Sequence, residues 1–339
     1  MQFVFVTLFI IVLLNVLVDV VPKSSVWETV RNSNGSTDTY YVDFESFREL
    51  FNRSYKLPRD YYRSKSYYKN SIKRHAYLNL YSTGTNSATY GINQFSDLSV
   101  KEFRELYLTG TVERSPLYPG LKTGGVPAKF DWRDKKAVGP VQNQQACGGC
   151  WAFSVVGIIE AARAKSTQTW EQLSVQQVID CSYQNQGCNG GVTTRALGWL
   201  NQTKVQLMRE SEYPYMAQAG ICHFFPPSQD GVSIKNFAAY NFSGREKAMM
   251  DRLVDWGPLA VAVDALSWQD YLGGIIQHHC SYHHANHAVM VIGYDTTGEV
   301  PYWIVQNSWG TSWGNEGYAY IKMGGNVCGI ADSVSAVFL

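Results

Sequence analysis

All seven cysteines of this 339-residue chain lie after residue 146. A cysteine set of this size in a secreted chain is typical of a disulfide framework, which restricts the folds open to that part of the chain. Seven is an odd number, so one thiol is left over and needs another purpose. The earlier stretch has no cysteine at all and differs in composition, so we treat it as a separate region.

The chain begins with an almost continuously apolar run from Met1 to Val21, which a Pro-Lys-Ser-Ser sequence starting at Pro22 ends. Because the unbroken apolar stretch is short, we predict a cleaved secretory signal peptide over residues 1–20. The start of the run carries no charge, which is unusual for a signal, and an uncleaved anchor is the alternative. No other segment is long and apolar enough to cross a bilayer, so we expect no further membrane contact.

Residues 21–125 are predicted to form a pro-segment, and residues 126–339 the main domain. A loop rich in proline and glycine joins them and is typical of a linker and processing site. Residues 1–125 carry 15 basic against 11 acidic side chains, whereas residues 126–339 carry 14 against 17. A basic segment docked on an acidic partner would loosen as carboxylates gain protons, which suggests activation in acid; random scatter of charge is the alternative. Nothing resembles a nucleic-acid patch.

Hydrophobic periodicity divides the main domain into a helical part and a β part. In the pro-segment, helical patterns cover Tyr41–Phe51 and Asp60–Tyr81. In the main domain they cover Phe153–Ala164 and Thr193–Asn201, and Ser174 to Gln177 has the pattern of a capping box opening a helix toward Cys181. Strand patterns cover Leu259–Val263, His287–Ile292, Tyr302–Val305, Tyr318–Met323 and Val334–Leu339. We predict an α+β fold with a helical lobe over about 126–240, a β lobe over about 241–339 and a cleft between them.

Cys150 is the candidate for the unpaired thiol because it opens an apolar segment of helical pattern. A thiolate attacks carbonyl carbon, and a helix N-terminus lowers a thiol pKa. His287, 137 residues downstream, is the candidate base, since imidazole exchanges protons near neutral pH. Asn307 could orient that imidazole and Trp309 could shield the bond from water. Gln144 could donate its amide to the developing oxyanion, together with the Cys150 backbone N–H.

Two rival interpretations start from the same stretches of sequence. His279, His283 and His287 have metal-ligand spacing for a helix, but the local pattern is not helical and no acidic residue joins them. We therefore expect neither a metal nor a cofactor. Cys147 and Cys150 form a Cys-x-x-Cys, which would suit a thiol–disulfide oxidoreductase. In that case the aromatic residue would precede the first cysteine, whereas here Trp151 follows the second.

Four motifs, in order, resemble those of the papain-like cysteine peptidases. They are Gln-x₅-Cys-Trp-Ala-Phe-Ser from Gln144, Cys-Asn-Gly-Gly from Cys188, Asn-His-Ala from Asn286 and Asn-Ser-Trp-Gly-x₂-Trp-Gly from Asn307. The resemblance covers about residue 130 to the C-terminus. It implies a two-lobe papain-like fold and a zymogen of a cysteine endopeptidase, with Cys150 as nucleophile, His287 as acid/base, Asn307 as orienter and Gln144 as oxyanion donor. Polypeptides are the implied substrates, the pro-segment is the implied inhibitor, and a monomer is expected.

The same resemblance implies disulfides and a substrate cleft. The implied disulfides are Cys147–Cys188, Cys181–Cys222 and Cys280–Cys328. Gly190 and Gly191 would pair with an extended substrate. Ala262, Ala288 and Ser333 map to the pocket for the second residue before the scissile bond (P2), and with no acid there we expect an apolar preference. Upstream, Gly91-x-Asn-x-Phe-x-Asp97 matches a pro-segment motif of the family, of which a longer helical motif retains little besides Tyr68 and Asn79. Such segments lie across the cleft in reverse.

The chain departs from the family pattern at Gln145, where glycine is usual, at Gly149, where serine or alanine is usual, and at Val192 and Thr193, which replace an aromatic residue. A side chain at 145 could crowd the oxyanion loop, and glycine at 149 could loosen it. A catalytically impaired binding or inhibitory protein on a peptidase scaffold is therefore the alternative function. We expect a lysosomal or secreted location, with N-glycosylation at Asn34, Asn52, Asn201 and Asn241.

Overall fold

The structure is a computed structural model that describes residues 27–31, 37–120, 124–224, 231–282 and 284–339. The predicted signal peptide over residues 1–20, the candidate glycosylation site Asn34 and His283 lie outside the described residues. The chain divides into two compact units, residues 1–58 and residues 59–339. Among the described residues, no helix has both the length and the apolar composition that a membrane crossing requires.

The described part of the first unit contains a pair of strands and one helix. Strands β1 (Trp27–Arg31) and β2 (Thr37–Tyr41) pair in antiparallel fashion. Helix α1 (Phe44–Leu50) begins after Asp43, whose Oδ1 accepts hydrogen bonds of 2.9 Å from the backbone N–H groups of residues 45 and 46. Such N-capping satisfies donors that a helix leaves unpaired at its start.

The second unit opens with three elements that precede residue 126. They are helix α2 (Pro58–Tyr81), strand β3 (Thr89–Tyr90) and helix α3 (Val100–Tyr107). Proline suits the first position of α2 because its missing N–H would be unpaired there in any case. A reciprocal capping box between Ser99 and Glu102 fixes the start of α3, which the sequence analysis did not predict.

Three helices form the helical lobe: α4 (Cys150–Thr167), α5 (Val175–Cys181) and α6 (Thr193–Thr203). Helix α4 is buried along most of its length, which matches its almost continuous apolar sequence. Ser174 caps α5 by accepting from the Gln177 N–H at 3.0 Å. The expected capping box is only half formed, because the Gln177 side chain bonds instead to the main chain of residues 206 and 208.

The β lobe is built on a mixed sheet. Its strands are β4 (Lys129–Asp131), β5 (Asn236–Tyr240), β6 (Leu259–Val263), β8 (Ile275–Ile276), β9 (His287–Asp295), β10 (Tyr302–Gln306), β11 (Tyr318–Lys322) and β12 (Val334–Phe338). Their order is β5-β12-β6-β9-β10-β11-β8, with β4 also on β9. A short strand, β7 (Tyr271–Gly273), pairs with β3, and helix α7 (Glu246–Trp256) also lies in this lobe.

The predicted α+β class is confirmed, and each of the five predicted strands has a counterpart in the sheet. Strands β4 and β5 fall in the range expected for the helical lobe, yet they pair with β9 and β12. Both are short and only partly buried, so neither carries a clear apolar pattern.

Two hydrophobic cores correspond to the two lobes. One is centred on α4 and includes Trp151 and Trp199. The other lies around the sheet and includes Trp303 and Trp313, together with Phe95 and other aromatic residues from before residue 126. Side chains between residues 78 and 118 therefore form part of the core of the β lobe. Three disulfides, Cys147–Cys188, Cys181–Cys222 and Cys280–Cys328, are present and are the pairs that the resemblance implies.

Candidate active site

Cys150 is the first residue of α4, and its thiol is free and completely buried. Main-chain groups of Ala288, Trp151 and Gly110 surround the sulfur and favour its charged form. Burial raises the pKa of the Cys150 thiol to about 11, and these main-chain groups only partly oppose that rise. In this covered state Cys150 is a neutral thiol.

His287 begins β9, and its Nε2 lies 2.8 Å from Oδ1 of Asn307. The same Oδ1 accepts a hydrogen bond of 2.8 Å from the Ser308 backbone N–H, so the atom facing the imidazole is the amide oxygen. Nε2 must then carry the proton of this bond. In the neutral ring this leaves Nδ1 as the nitrogen that can accept a proton.

The imidazole is enclosed by tryptophan rings. Trp309 stacks on His287 with ring centroids 4.6 Å apart, and Trp268 meets it edge-on. Burial lowers the pKa of His287 to about 4, although Asn307 and the main chain of Tyr107 favour the charged ring. The candidate base and the candidate nucleophile are thus both neutral between the His287 pKa of about 4 and the Cys150 pKa of about 11.

Gln144 is buried and held on both sides of its amide. Its Nε2 donates to the Cys147 carbonyl at 2.9 Å, and its Oε1 accepts from Ser308 Oγ at 2.6 Å. The Gln144 N–H also bonds the Ser308 carbonyl at 2.8 Å. These bonds fix the amide beside the start of α4 and leave its second N–H available as a donor.

The candidate substrate-facing residues come together on the two lobes. Ala262 and Ala288 are register partners on β6 and β9, and the Ala262 N–H bonds the Ser333 carbonyl at 3.2 Å. On the other lobe, Gly190 has a φ of +121°, and a side chain there would collide with the Thr109 carbonyl. A side chain on Gly191 would lie within 2.7 Å of the Trp151 ring. Glycine at both positions therefore allows neighbouring groups to pack closely against the main chain here.

A segment from before residue 126 crosses this site. The Gly110 N–H bonds the Asn286 carbonyl at 2.9 Å on the β lobe, and the Thr111 N–H bonds the Gly191 carbonyl at 3.1 Å on the helical lobe. Gly110 also forms a parallel bridge with Gly191. The segment therefore covers the Cys150 thiol from both lobes, which accounts for the complete burial of Cys150 and His287.

Residues 126–338 match the family model described as papain family cysteine protease. The chain belongs to the papain family. Residues 44–103 match a second model, the cathepsin propeptide inhibitor domain (I29). The protein is thus the zymogen of a papain-family cysteine protease, and its I29 propeptide acts as an intramolecular inhibitor.

Relatives in the papain family cover most of the chain. Cathepsin O of Homo sapiens is 55% identical over 288 residues, which are 83% of this chain and 90% of the human protein. Cathepsin O of Mus musculus is 56% identical over 276 residues, 80% of this chain and 88% of the mouse protein. Among solved structures, digestive procathepsin L2 from the Tenebrio molitor larval midgut has a TM-score of 0.79 at 31% identity, with 87% of this chain and 98% of that chain covered. The papain-like two-lobe fold is confirmed.

The departures from the papain-family pattern at Gln145 and Gly149 have different structural settings. Gln145 has a φ of +52°, in the left-handed region that favours glycine, and its side chain is exposed rather than packed on the oxyanion loop. The expected crowding by this side chain is therefore wrong, and the cost is one of backbone conformation. Gly149 has a negative φ, and an added Cβ would lie 3.0 Å from Ile179 Cδ1, a flexible side-chain end.

The thiol–disulfide oxidoreductase interpretation loses its structural basis in this papain-family chain. Cys147 is bonded to Cys188, so it does not form a redox pair with Cys150. No group of three metal-ligating side chains occurs among the residues that the structure describes. His279 Nε2 lies 2.9 Å from the Leu78 carbonyl, whereas His287 bonds Asn307, so the two rings serve different contacts.

Sequence analysis named Phe95 and Trp309 but missed the other residues that hold the propeptide on the protease domain. Asp270 is completely buried and binds the guanidinium of Arg74 and the imidazole of His75, both on α2. The edges or faces of Phe95, Phe103 and Tyr107 pack on Trp309. These contacts join residues roughly 200 positions apart, and no local pattern marks them.

Proposed function

We propose that the protein is a cysteine endopeptidase in which Cys150 is the nucleophile and His287 the general acid and base. The observation that carries this proposal is the bond from His287 Nε2 to Asn307 Oδ1, because it leaves Nδ1 as the proton acceptor on a residue adjacent to Ala288, whose main chain contacts the thiol. Asn307 is itself fixed by Ser308, so the ring has one orientation.

In the proposed reaction, His287 Nδ1 takes the thiol proton and the Cys150 thiolate attacks the carbonyl carbon of the scissile peptide bond. Negative charge on the carbonyl oxygen is stabilised by the free N–H of the Gln144 amide and by the Cys150 backbone N–H. The C–N bond breaks as His287 returns the proton to the leaving amine, which leaves a thioester. Water, deprotonated by His287, then hydrolyses the thioester and restores the thiol.

Propeptide removal is proposed to activate the enzyme in two ways: it opens the cleft to substrate, and it lets water reach Cys150 and His287. Burial under residues 109–111 raises the pKa of Cys150 and lowers that of His287, so both shifts oppose a thiolate–imidazolium pair. Once water reaches the pair, both penalties fall. The helix N-terminus and the imidazolium can then stabilise the thiolate.

The substrate preference is proposed to be apolar at P2. Ala262, Ala288 and Ser333 are all buried, uncharged and close together, and they offer no partner to a basic side chain. A buried unpaired charge in such a pocket would be strongly unfavourable.

We further propose entry into the secretory pathway through a signal peptide over residues 1–20, delivery to lysosomes, and action as a monomer. The three disulfides suit an oxidising compartment. Asn52 is exposed and Asn201 is half-buried. Asn241 is half-buried and its main chain pairs with the linker at residues 116 and 118, so it is the least accessible of the three described sequons.

The test is peptide hydrolysis by the processed protein, with leucine, arginine or aspartate at P2. Cys150→Ser is expected to abolish cleavage, and Asn307→Ala to lower kcat by at least tenfold, since one positioned proton-transfer group contributes on the order of 10²–10⁴. Asn236→Ala, an exposed change on β5, is the matched control and should leave kcat unchanged. A folded, processed protein that cleaves none of these peptides would refute the proposal and favour the binding or inhibitory alternative.

A further inference from the structure

The propeptide places one carboxylate on the helical lobe beyond the site of chemistry. Glu113 Oε1 lies 2.7 Å from Nε of Arg195, and Glu113 Oε2 accepts from Thr194 Oγ1 at 3.3 Å. Arg195 and Thr194 lie in the first turn of α6, shortly after Gly191. Both oxygens of the carboxylate are thus engaged by adjacent residues of the protease domain.

The main chain around Glu113 follows the path of a peptide in the cleft. Gly110 lies against the thiol, and the Thr111 N–H pairs with the Gly191 carbonyl. Glu113 is two residues further along, about 7 Å in an extended chain. A substrate would pair with Gly191 in the opposite chain direction. Its residue two positions before the one that pairs with Gly191 would then pass the same point of α6. That residue is the third or fourth before the scissile bond.

The one ion pair that Arg195 makes among the described residues is with Glu113, which belongs to the propeptide. The described part of the protease domain offers Arg195 no carboxylate of its own. Its remaining contact is a 3.5 Å bond from Nη1 to the Gln184 carbonyl. The side chain is 45% exposed, and the first turn of α6 adds the positive end of the helix dipole. Departure of the propeptide therefore leaves an oriented guanidinium and a hydroxyl donor facing the cleft.

We propose that Arg195 and Thr194 form an acid-accepting subsite, so that the protease favours substrates with glutamate or aspartate at P3 or P4. This inference rests on the proposed peptidase function and adds a substrate class to it. Glu113 is the internal stand-in for the substrate carboxylate. An exposed arginine–carboxylate pair gives a modest preference that depends on salt.

The test uses processed full-length enzyme and peptides with leucine fixed at P2 and glutamate, glutamine or lysine at P3 and at P4 in turn. At pH 6, where glutamate is ionised, we expect kcat/KM for glutamate to exceed that for glutamine by about two- to fivefold at one or both positions. The ratio should shrink when ionic strength rises from about 0.02 to 0.5 M.

Arg195→Glu should reverse the order, so that kcat/KM is higher for lysine than for glutamate, with a peptide that has glutamine at both positions as the neutral reference. Lys235→Glu changes the net charge by the same amount at an exposed site just before β5 and should keep the wild-type order. An Arg195→Glu enzyme that cleaves the reference peptide and retains the wild-type order would overturn the subsite. Absence of Cys150-dependent cleavage of every peptide would instead refute the proposed peptidase function.

Discussion

His75 Nε2 lies 2.9 Å from the carboxylate of Asp270, and both side chains are only about 1% exposed. The guanidinium of Arg74 binds both oxygens of the same carboxylate, with Nη2 2.8 Å from the oxygen that His75 contacts and Nε bonded to the second oxygen. The two basic residues belong to the propeptide and the acid to the protease domain. This buried cluster is the strongest electrostatic link that the structure shows between the two regions.

Asp270→Asn in the full zymogen is expected to accelerate processing by at least tenfold. Removing one charge from a buried pair leaves the partner unpaired and costs about 3–5 kcal/mol. Part of that cost falls on propeptide docking. The measurement is the rate at which mature protein appears on a gel at constant pH. Arg63→Gln on the same helix removes only partly exposed pairs with Asp60 and Glu102 and should process at the wild-type rate; equal rates for all three proteins would contradict the anchor.

The Asp270 anchor is expected to survive mild acid. Burial alone would raise the pKa of Asp270, but the bonds from Arg74 and His75 lower it below its ordinary value of about 3.9. A carboxyl whose pKa is lowered in the folded state stabilises docking fully at pH values above its unfolded-state pKa. This stabilisation is lost only as pH falls through the lower, folded-state pKa. Besides Arg74 and His75, the ionisable group facing it is the Tyr90 phenol. Loss of the Asp270 charge therefore cannot drive release near pH 4.5.

Hydrogen exchange on Cys150→Ser zymogen, which cannot process itself under the proposed mechanism, measures this directly. After correction for intrinsic rates, amides of α2 should be equally protected at pH 7.0 and pH 4.5. Loss of α2 protection at pH 4.5 would instead support the acid-loosening hypothesis drawn from the charge asymmetry. In our account, acid acts on the weaker exposed contacts and on cleavage of the linker.

Glu160 is expected to make the protein less stable at neutral pH. This carboxyl is buried on α4, and its Oε1 accepts from the Leu173 N–H at 2.8 Å. Burial raises the pKa of Glu160 to about 8, with a smaller contribution from Glu210. Because the folded-state pKa lies above the unfolded value of about 4.3, the stabilisation is complete below that value and is lost as pH rises toward 8.

Glu160→Gln keeps the bond to Leu173 and cannot ionise. Between pH 5 and pH 7.5, the free energy of unfolding of this variant relative to that of wild type should rise by on the order of 3 kcal/mol. The Tm of the variant should accordingly rise by several degrees relative to that of wild type. Glu171→Gln, which removes ion pairs with Arg163 and Arg209 near the same helix, should show no such gain at pH 7.5. Parallel Tm curves for wild type and Glu160→Gln across this range would contradict the assignment.

Gln145→Gly is expected to leave stability unchanged or to raise it by about 0.5–1 kcal/mol. Glycine removes the left-handed penalty of about 1–2 kcal/mol, which its larger loss of chain entropy partly offsets. Urea unfolding of the zymogen measures the difference. Gln142→Gly, in the same loop but outside the positive-φ residues, should lower stability. Equal losses in the two variants would show that position 145 is not strained.

Two of the catalytic candidates, Cys150 and His287, could be singled out from the sequence because each lies at the start of a strongly patterned element. Among the described elements, Cys150 opens an almost entirely apolar helix, and His287 opens a strand that is buried at every position. Both elements could be located from local apolar runs. The fold brings Asn307 and Gln144 to the same place, since Ser308 binds both side chains.

Other features could not be derived from local pattern. Asp270 is an acidic residue in an apolar stretch, and only the docking of α2, nearly 200 residues away in sequence, provides its partners. Strand β5 is half-buried without alternation, and its pairing with β12 sets its role. Helix α7 lies between the last predicted helix and the first predicted strand, and the sequence analysis assigned no element there.

The most direct test of the central claim is thiol labelling before and after propeptide removal. An epoxysuccinyl probe is added at pH 6 to intact zymogen and to processed protein, and the modified residue is mapped by mass spectrometry. We expect stoichiometric labelling at Cys150 in the processed protein and almost none in the zymogen, where the thiol is buried and neutral. Folded, processed protein with Cys150 unmodified would contradict the proposal that Cys150 is the nucleophile.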